Sequence, residues 1–257
     1  MIGKNKIKLI KSLEFKKYRT EHNLFLAEGN KMVTELIASE IQLVLLIGTS
    51  DFLTRIMAPV QESTEIVETS REEIRKASLL KNPQDALALC RIPKHDLHLA
   101  DPSSDWVLAL DNLQDPGNLG TIVRIADWFG INDIVCSAGS VDMYNPKAVQ
   151  ATMGSICRVR VHYTELPEFV MKCNGKGLFT GGTFMDGENL FNTELPDNGL
   201  IIMGNEGHGI GRELEEGINH RLSIPFVAYG RSRAESLNVA AATALVCAEI
   251  RRKNLKG

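Results

Sequence analysis

The 257-residue chain is informative first in what it lacks. Its five cysteines (Cys90, Cys136, Cys157, Cys173 and Cys247) are scattered and odd in number, and none stands in a C-x-x-C pair. Neither a zinc site nor a disulfide framework is indicated, and a reducing cytoplasm is the expected location. No run of about 18 apolar residues occurs, so no membrane-spanning helix is expected. The N-terminus is polar and basic without an apolar h-region, unlike a signal peptide. No G-x-x-x-x-G-K-[ST] loop is present, since Gly3-Lys4 and Gly175-Lys176 lack its frame, and there is no H-E-x-x-H. The six histidines show no ligand spacing, so no metal is expected; His208 stands apart because it lies in a glycine-rich stretch. Gly204, Gly207, Gly209 and Gly211 do not fall into G-x-G-x-x-G, which argues against a nucleotide-dependent dehydrogenase.

Nor is there a net excess of positive charge. Twenty-nine basic residues face 32 acidic ones, a balance of -3, which taken alone argues weakly against nucleic acid. The distribution says more. Residues 1–100 carry 15 basic and 13 acidic side chains, leaving 14 and 19 for residues 101–257. Lys4, Lys6, Lys8, Lys11, Lys16, Lys17 and Arg19 are opposed within the first twenty residues by Glu14 alone. Such a run is often only a solvated arm; here it is the candidate phosphate-contacting surface.

What is present is 44% apolar residues in short alternating elements, ample for a packed core. The chain has no internal repeat and no low-complexity tract. Residues 1–100 read as a small α/β domain, with Lys4–Arg19 helical, apolar strands near 24–27, 42–47 and 86–91, and a possible capping box formed by Ser70 and Glu73. The stretch from Ile92 to Asp105, with Pro93, Pro102, Ser103 and Ser104, is the linker. Residues 106–257 form the second domain. Strands are predicted at 106–110, 134–136, 158–161, 177–180, 200–203 and 222–225, the last ending at Pro225. The apolar run Leu200–Met203 suits a parallel strand covered on both faces, followed by a glycine-rich turn and a helix from about Ile210. Asn118 and Ser236 stand where helix N-caps belong. Two glycine-bearing loops leaving the ends of neighbouring strands are the usual ligand site of an open α/β sheet.

Taken singly, Asn118 and Ser236 read as plain caps and Arg124 as a surface residue. Together with Glu206 and Asn238, they place polar side chains at three loop–helix junctions inside otherwise apolar elements, more than capping requires. Three motifs then carry a resemblance: Asp115-Pro116-Gly117-Asn118-Leu119-Gly120-Thr121-Ile122-Val123-Arg124; Met203-Gly204-Asn205-Glu206-Gly207-His208-Gly209-Ile210; and Ser223-Ile224-Pro225-Phe226 followed by Ser236-Leu237-Asn238-Val239. Asn145-Pro146-Lys147 and Met153-Gly154-Ser155 add to it. Across 106–257 the chain resembles the SpoU (TrmH-type) RNA ribose 2′-O-methyltransferases of the SPOUT class. Residues 1–100, with Leu24-Phe25-Leu26-Ala27-Glu28-Gly29, resemble the ribosomal-protein-L30e-type substrate-binding domain of that family. The segment Val227–Glu235 is a few residues longer than is usual there, and Phe226 stands where Met is common.

The resemblance implies a C-terminal parallel sheet threaded by a deep trefoil knot, S-adenosylmethionine as methyl donor, a homodimer, and a structured RNA acceptor; the two-domain layout favours rRNA over tRNA, because an added RNA-binding domain suits a large substrate. It implies catalytic roles for Asn118, Arg124, Glu206, Ser236 and Asn238. It also implies cofactor contacts from Thr183, Gly204, Asn205, Glu206, Gly207, Ile224, Phe226, Leu237 and Asn238. Lys4, Lys6, Lys8, Lys11, Lys16, Lys17, Arg19 and Arg124 are the expected RNA contacts. Because a guanidinium stays protonated, with a pKa above about 12, Arg124 reads as an orienter of phosphate and hydroxyl rather than a base. The small residues Ala240, Ala241, Ala242 and Ala244 permit close helix approach at the dimer contact or within one chain. A rival of another class, a non-catalytic RNA-binding protein of the same fold, would be expected to have lost Asn118, Arg124 or Glu206, and all three are present.

Overall fold

The computed structural model describes residues 1–226 and 236–252; the long segment Val227–Glu235 noted above lies outside them. By internal contacts the chain divides into two units, Met1–Lys94 with Asp142–Cys157, and His95–Val141 with Arg158–Gly257.

The first unit is built on a four-stranded sheet of β1 (Leu24–Glu28), β2 (Leu43–Gly48), β3 (Glu65–Glu68) and β4 (Ala86–Arg91), in the order β1-β4-β2-β3. Strand β4 runs antiparallel to both neighbours, whereas β2 and β3 are parallel. Ile10, Leu13, Leu24, Leu26, Leu45, Ile47, Ile74, Leu87 and Leu89 form its core. Helices α3 (Asn30–Ile37) and α4 (Ser50–Thr54) follow β1 and β2, and helix α5 (Arg71–Ala77) is capped as expected, Ser70 Oγ accepting from Glu73 N. The single N-terminal helix predicted over Lys4–Arg19 is instead two, α1 (Lys4–Ser12) and α2 (Lys16–His22). Leu13 is fully buried at the break. There, Arg19 Nη1 donates to the carbonyls of Leu13 and Glu14, both at 2.8 Å, replacing helical bonds.

Arg19 itself is therefore not an RNA contact. It is 2% exposed, and its Nε and Nη2 donate to Asp142 Oδ2 at 2.9 and 2.7 Å. Burying a guanidinium requires such saturation of its donors. Asp142 opens the segment that joins this unit, where helix α7 (Pro146–Thr152) packs on β1 and the Tyr144 ring lies 5.1 Å from that of Phe25.

The second unit carries six parallel strands: β5 (Trp106–Leu110), β6 (Asp133–Ser137), β7 (Arg160–Thr164), β8 (Thr180–Asn189), β9 (Gly199–Met203) and β10 (His220–Ser223). Their order is β10-β8-β9-β5-β6-β7. Every residue of β5 and β9 is buried, as their unbroken apolar runs require. Three strands differ from expectation. Strand β7 starts two residues late, Arg158 being drawn off to Asp127. Strand β8, expected over 177–180, begins at Thr180 and runs on through Gly181-Gly182-Thr183 to Asn189. A Cβ on Gly182 would meet the side chains of Phe184 and Ile210, at 2.9 and 3.0 Å, so the glycines make room for the core. Strand β10 ends at Ser223, before Pro225.

Helix α6 (Pro116–Trp128) follows β5, α8 (Leu166–Gly175) follows β7, and α10 (Val239–Arg251) packs against α6. Arg251 Nε and Nη2 donate to the carbonyls of Phe129 and Gly130 at the end of α6. Among the described residues no helix is long and apolar enough to cross a membrane.

Candidate functional site

The chain leaves β5 toward β6 and leaves the adjacent β9 toward β10 on the other side of the sheet. A crevice at the carboxyl ends of two neighbouring strands with diverging connections is where open α/β sheets bind ligands. Leu110 and Met203 are paired in register there, and Asp111 N donates to the Met203 carbonyl at 2.9 Å.

The loops beyond the two strands are tied side chain to backbone. Asp111, only 3% exposed, accepts at Oδ2 from Gly211 N, 2.8 Å away. Asn112 takes a left-handed backbone, φ 48°, and its carbonyl accepts from Asn205 Nδ2 at 2.7 Å. Asn205 Oδ1 accepts from Gly207 N and His208 N. Its backbone pairs with Gly209 in both directions, at 2.8 and 3.0 Å. The glycine stretch is thus a closed loop folded back on its own strand end. The helix expected from Ile210 begins only at α9 (Arg212–Glu215), because Gly211 is held extended at its N-cap, with its N–H on Asp111. Gly204 shows why glycine is needed. A Cβ there would overlap the backbone of Gly209 and lie 2.5 Å from Ile210 N. Asp111 and Asn112 were not singled out from the sequence as site residues; two polar residues directly after a fully apolar strand are the signal that marks them.

Asn118, Glu206 and Asn238 are brought together. Asn118 Nδ2 donates to Glu206 Oε1 at 3.0 Å, and Asn238 Nδ2 donates to Asn118 Oδ1 at 3.0 Å. Asn118 is not the cap of α6; Asp115 is, with Oδ1 accepting from Asn118 N at 2.7 Å and Pro116 in the first turn. Asn118 sits one turn in, so its side chain is released for the site. Likewise Ser236 does not cap α10. Asn238 does, its Oδ1 accepting from Ala240 N and Ala241 N while its Nδ2 faces Asn118. Each amide therefore uses its oxygen and its nitrogen for different tasks. Arg124, exposed and six residues along α6, and Ser236, also exposed, have no hydrogen-bond or ionic partner among the described residues and do not join this chain of bonds.

Of the expected cofactor contacts, Gly204, Asn205, Glu206 and Gly207 line the closed loop. Thr183 reaches toward it, Oγ1 lying 3.5 Å from the Ile202 carbonyl and 3.8 Å from Met203 Sδ. Ile224 follows β10, Phe226 lies two residues further along, and Leu237 precedes α10 at 53% exposure. No backbone hydrogen bond to another described residue involves Ile224 or Leu237. His208 is exposed at the tip of the loop. No group of three His, Cys, Asp or Glu among the described residues could hold a metal.

A parallel sheet whose strand-end loops are tied into a closed glycine-rich loop, beside a fixed amide–carboxylate row, is an arrangement suited to a group-transfer enzyme. The comparisons agree. Residues 105–248 match the model of the SpoU rRNA methylase family, and residues 4–88 that of the MRM3-like substrate-binding domain. The chain is 34% identical to the 23S rRNA (guanosine(2553)-2′-O)-methyltransferase RlmP of Bacillus subtilis, over 96% of both chains. It is 26% identical to the 23S rRNA (guanosine-2′-O-)-methyltransferase RlmB of Neisseria meningitidis, over 91% of this chain and 92% of that one. An AdoMet-bound rRNA methyltransferase from Sinorhizobium meliloti superposes with a TM-score of 0.86 at 28% identity, covering 96% of this chain and 94% of the other. The chain belongs to the SpoU rRNA methylase family and is an S-adenosylmethionine-dependent RNA methyltransferase.

Proposed function

We propose that this protein methylates a ribose 2′-hydroxyl of 23S-type rRNA and works as a homodimer, residues 1–100 binding substrate and residues 106–257 carrying the chemistry. The rRNA reading rests on relatives similar along nearly the whole chain, both named for 23S rRNA. The observation that carries the chemistry is the Asn238–Asn118–Glu206 row at the mouth of the glycine loop.

The cradle fits S-adenosylmethionine. Gly204 lets the loop close on Gly209 and Ile210, which holds the backbone of Asn205–Gly207 in one place for a ligand, and Ile224 and Leu237 are the backbone positions that would meet adenine and ribose. When bound, the sulfonium supplies an electrophilic methyl group. The chain's own task is to align and activate a hydroxyl, a weak nucleophile until a proton acceptor is near. Glu206 is the carboxylate available for that proton, and Asn118 fixes its orientation. Arg124 holds the neighbouring phosphate as a permanently charged fork. Ser236, at the entrance to α10, orders the acceptor. For the dimer, Ala241 and Leu245 stand four residues apart on α10 and are exposed, and Trp128 at the end of α6, which packs against α10, is 85% exposed. Exposed apolar side chains on two helices packed together fit a second copy.

The test is methyl transfer from labelled S-adenosylmethionine into total rRNA and total tRNA from a strain lacking this protein, with Arg124→Ala alongside. Label confined to rRNA, retained in alkali-resistant dinucleotides and lost in the variant, is expected. Label in tRNA alone, or cofactor binding without transfer to either pool, would overturn the substrate assignment. Sedimentation of the wild type as a monomer would overturn the dimer.

A further inference from the structure

Single exposed apolar side chains are ordinary, but exposed aromatics grouped on one surface mark a place where a ligand or partner binds. Phe15 is 60% exposed and Tyr18 37% exposed. With His22 they are spaced three and four residues apart, so they share one face at α2. The Phe15 and Tyr18 rings are 6.5 Å apart and edge to face at 74°, and the Tyr18 and His22 rings are stacked at 6.5 Å and 15°. Phe15 occupies the N-cap position of α2 and makes no capping bond there. Phenylalanine is a poor choice for that position, so helix stability does not explain it.

Cations frame this row. Lys17 Nζ stands 5.8 Å over the Tyr18 ring, and Arg91 Nη1 donates to the His22 carbonyl at 3.1 Å. Lys4, Lys8 and Lys11, all exposed, recur on one face of α1 at helical spacing, and Lys16 is exposed beside Phe15. Lys6 is engaged by Glu65 and Arg19 is buried. The acidic residues in the same stretch are Glu14 and Glu21.

We propose that the Phe15–Tyr18–His22 face is a stacking platform for an unpaired base of the RNA substrate, with Lys4, Lys8, Lys11, Lys16 and Lys17 on the flanking phosphates. The proposal rests on the reading of this protein as an RNA methyltransferase and adds the form in which the substrate is held. Aromatic faces interleaved with lysines are the chemistry of single-stranded nucleic acid recognition, since every base has a π face and every linkage a charge. A protein partner fits less well. Glu14–His22 contains no aliphatic residue, and lysine is depleted from the centres of protein interfaces. A duplex fits less well too, because its bases are already stacked on one another.

The experiment uses the full chain and a labelled short unstructured oligoribonucleotide, alone and annealed into a duplex, together with methylation of rRNA. Phe15→Ala with Tyr18→Ala is expected to weaken single-strand binding about ten-fold, the loss of roughly one stacked base. The KM for rRNA should rise while kcat and S-adenosylmethionine binding stay unchanged. Phe15→Tyr with Tyr18→Phe should bind like the wild type, which separates stacking from misfolding. Replacing Lys4, Lys8 and Lys11 by Ala should weaken binding and flatten its log–log salt dependence by about 2. Unchanged single-strand binding in the alanine pair overturns the platform. So does equal loss for single strand and duplex, a defect that the aromatic exchange fails to avoid, or a loss of self-association in place of RNA affinity. A wild type that transfers no methyl group to RNA overturns the enzymatic reading instead; methylation by the wild type with unaltered KM in the alanine pair overturns this inference alone.

Discussion

At the scale of single residues, the site depends on which end of an amide points where. Asn118 accepts at Oδ1 from Asn238 and donates at Nδ2 to Glu206, so both of its polar atoms are committed. Asn118→Asp keeps the shape but removes the donor and sets a second carboxylate against Glu206. Methyl transfer is expected to fall about 10²–10³-fold, the scale of losing one oriented donor in an active site, with S-adenosylmethionine affinity nearly unchanged; a kcat within three-fold of the wild type would refute the role. Asn238→Asp separates two functions, because a carboxylate can still cap α10 through Ala240 N and Ala241 N but cannot donate to Asn118. Its melting temperature should hold while its kcat drops. Asn238→Ala should lose both, the cap alone contributing about 1 kcal/mol. Gly204→Ala forces a methyl group into the backbone of Gly209 and Ile210. It should cost about 1–3 kcal/mol by overpacking and abolish cofactor binding, measured by calorimetry. The residue types of this site were legible in the sequence, since polar groups at loop–helix junctions stand out. Their division of labour was not. Asp-Pro-Gly-Asn and Ser-Leu-Asn each offer two capping candidates, and only the backbone angles at Asp115 and Asn238 choose between them.

Among the elements, those buried on both faces were the easiest to read. Strands β5 and β9 are continuous apolar runs because helices cover both sides of a parallel sheet. Strand β8 was placed too early because its second half is mixed in polarity and owes its extension to pairing with β10, a non-local ladder that no local pattern reports. The break between α1 and α2 was hidden for a related reason: lysines at helical spacing favour continuation, and the buried Leu13 with the Arg19 bonds to its carbonyl override them. The ladder between β6 and β7 carries a pH-dependent contribution. Burial of Asp133 would raise its pKa, but the bonds from His162, at 2.8 Å, and from Arg160, at 2.8 and 2.6 Å, outweigh it and hold the carboxyl below the usual aspartate range. A folded pKa below the unfolded value, about 3.9, means that this stabilisation is fully present above the unfolded pKa. It is lost as pH falls through the folded one. Asp133→Asn should therefore lower stability at pH 7 and make acid unfolding less steep below about pH 4. Denaturant titrations at both pH values test this, and equal destabilisation at pH 7 and pH 3 would contradict it.

At the scale of the whole molecule, composition and the proline–serine stretch before Trp106 were enough to suggest a chain of two parts, and the apolar alternation was enough to suggest α/β layers. What sequence could not report is that Asp142–Cys157 packs with the first unit although it lies between strands of the second. Its contacts are separated by more than a hundred residues in the chain: Asp142 with Arg19, and Tyr144 with Phe25. Removing residues 1–94 should therefore do more than delete a substrate-binding module. It strips the cover from the buried Ala148, Val149 and Thr152 of α7 and leaves Asp142 without its guanidinium partner. Helix α7 is seven residues long, too short to persist without tertiary support. The loops after β5, β9 and β10, by contrast, draw every described bond of the glycine pocket from the second unit. The shortened chain is thus expected to bind S-adenosylmethionine with nearly unchanged affinity, to be cut by protease between residues 142 and 157, and to transfer no methyl group to rRNA. Resistance to cleavage there would mean that α7 is held by other contacts. Loss of cofactor binding would mean that the pocket depends on the first unit through a path other than its own hydrogen bonds.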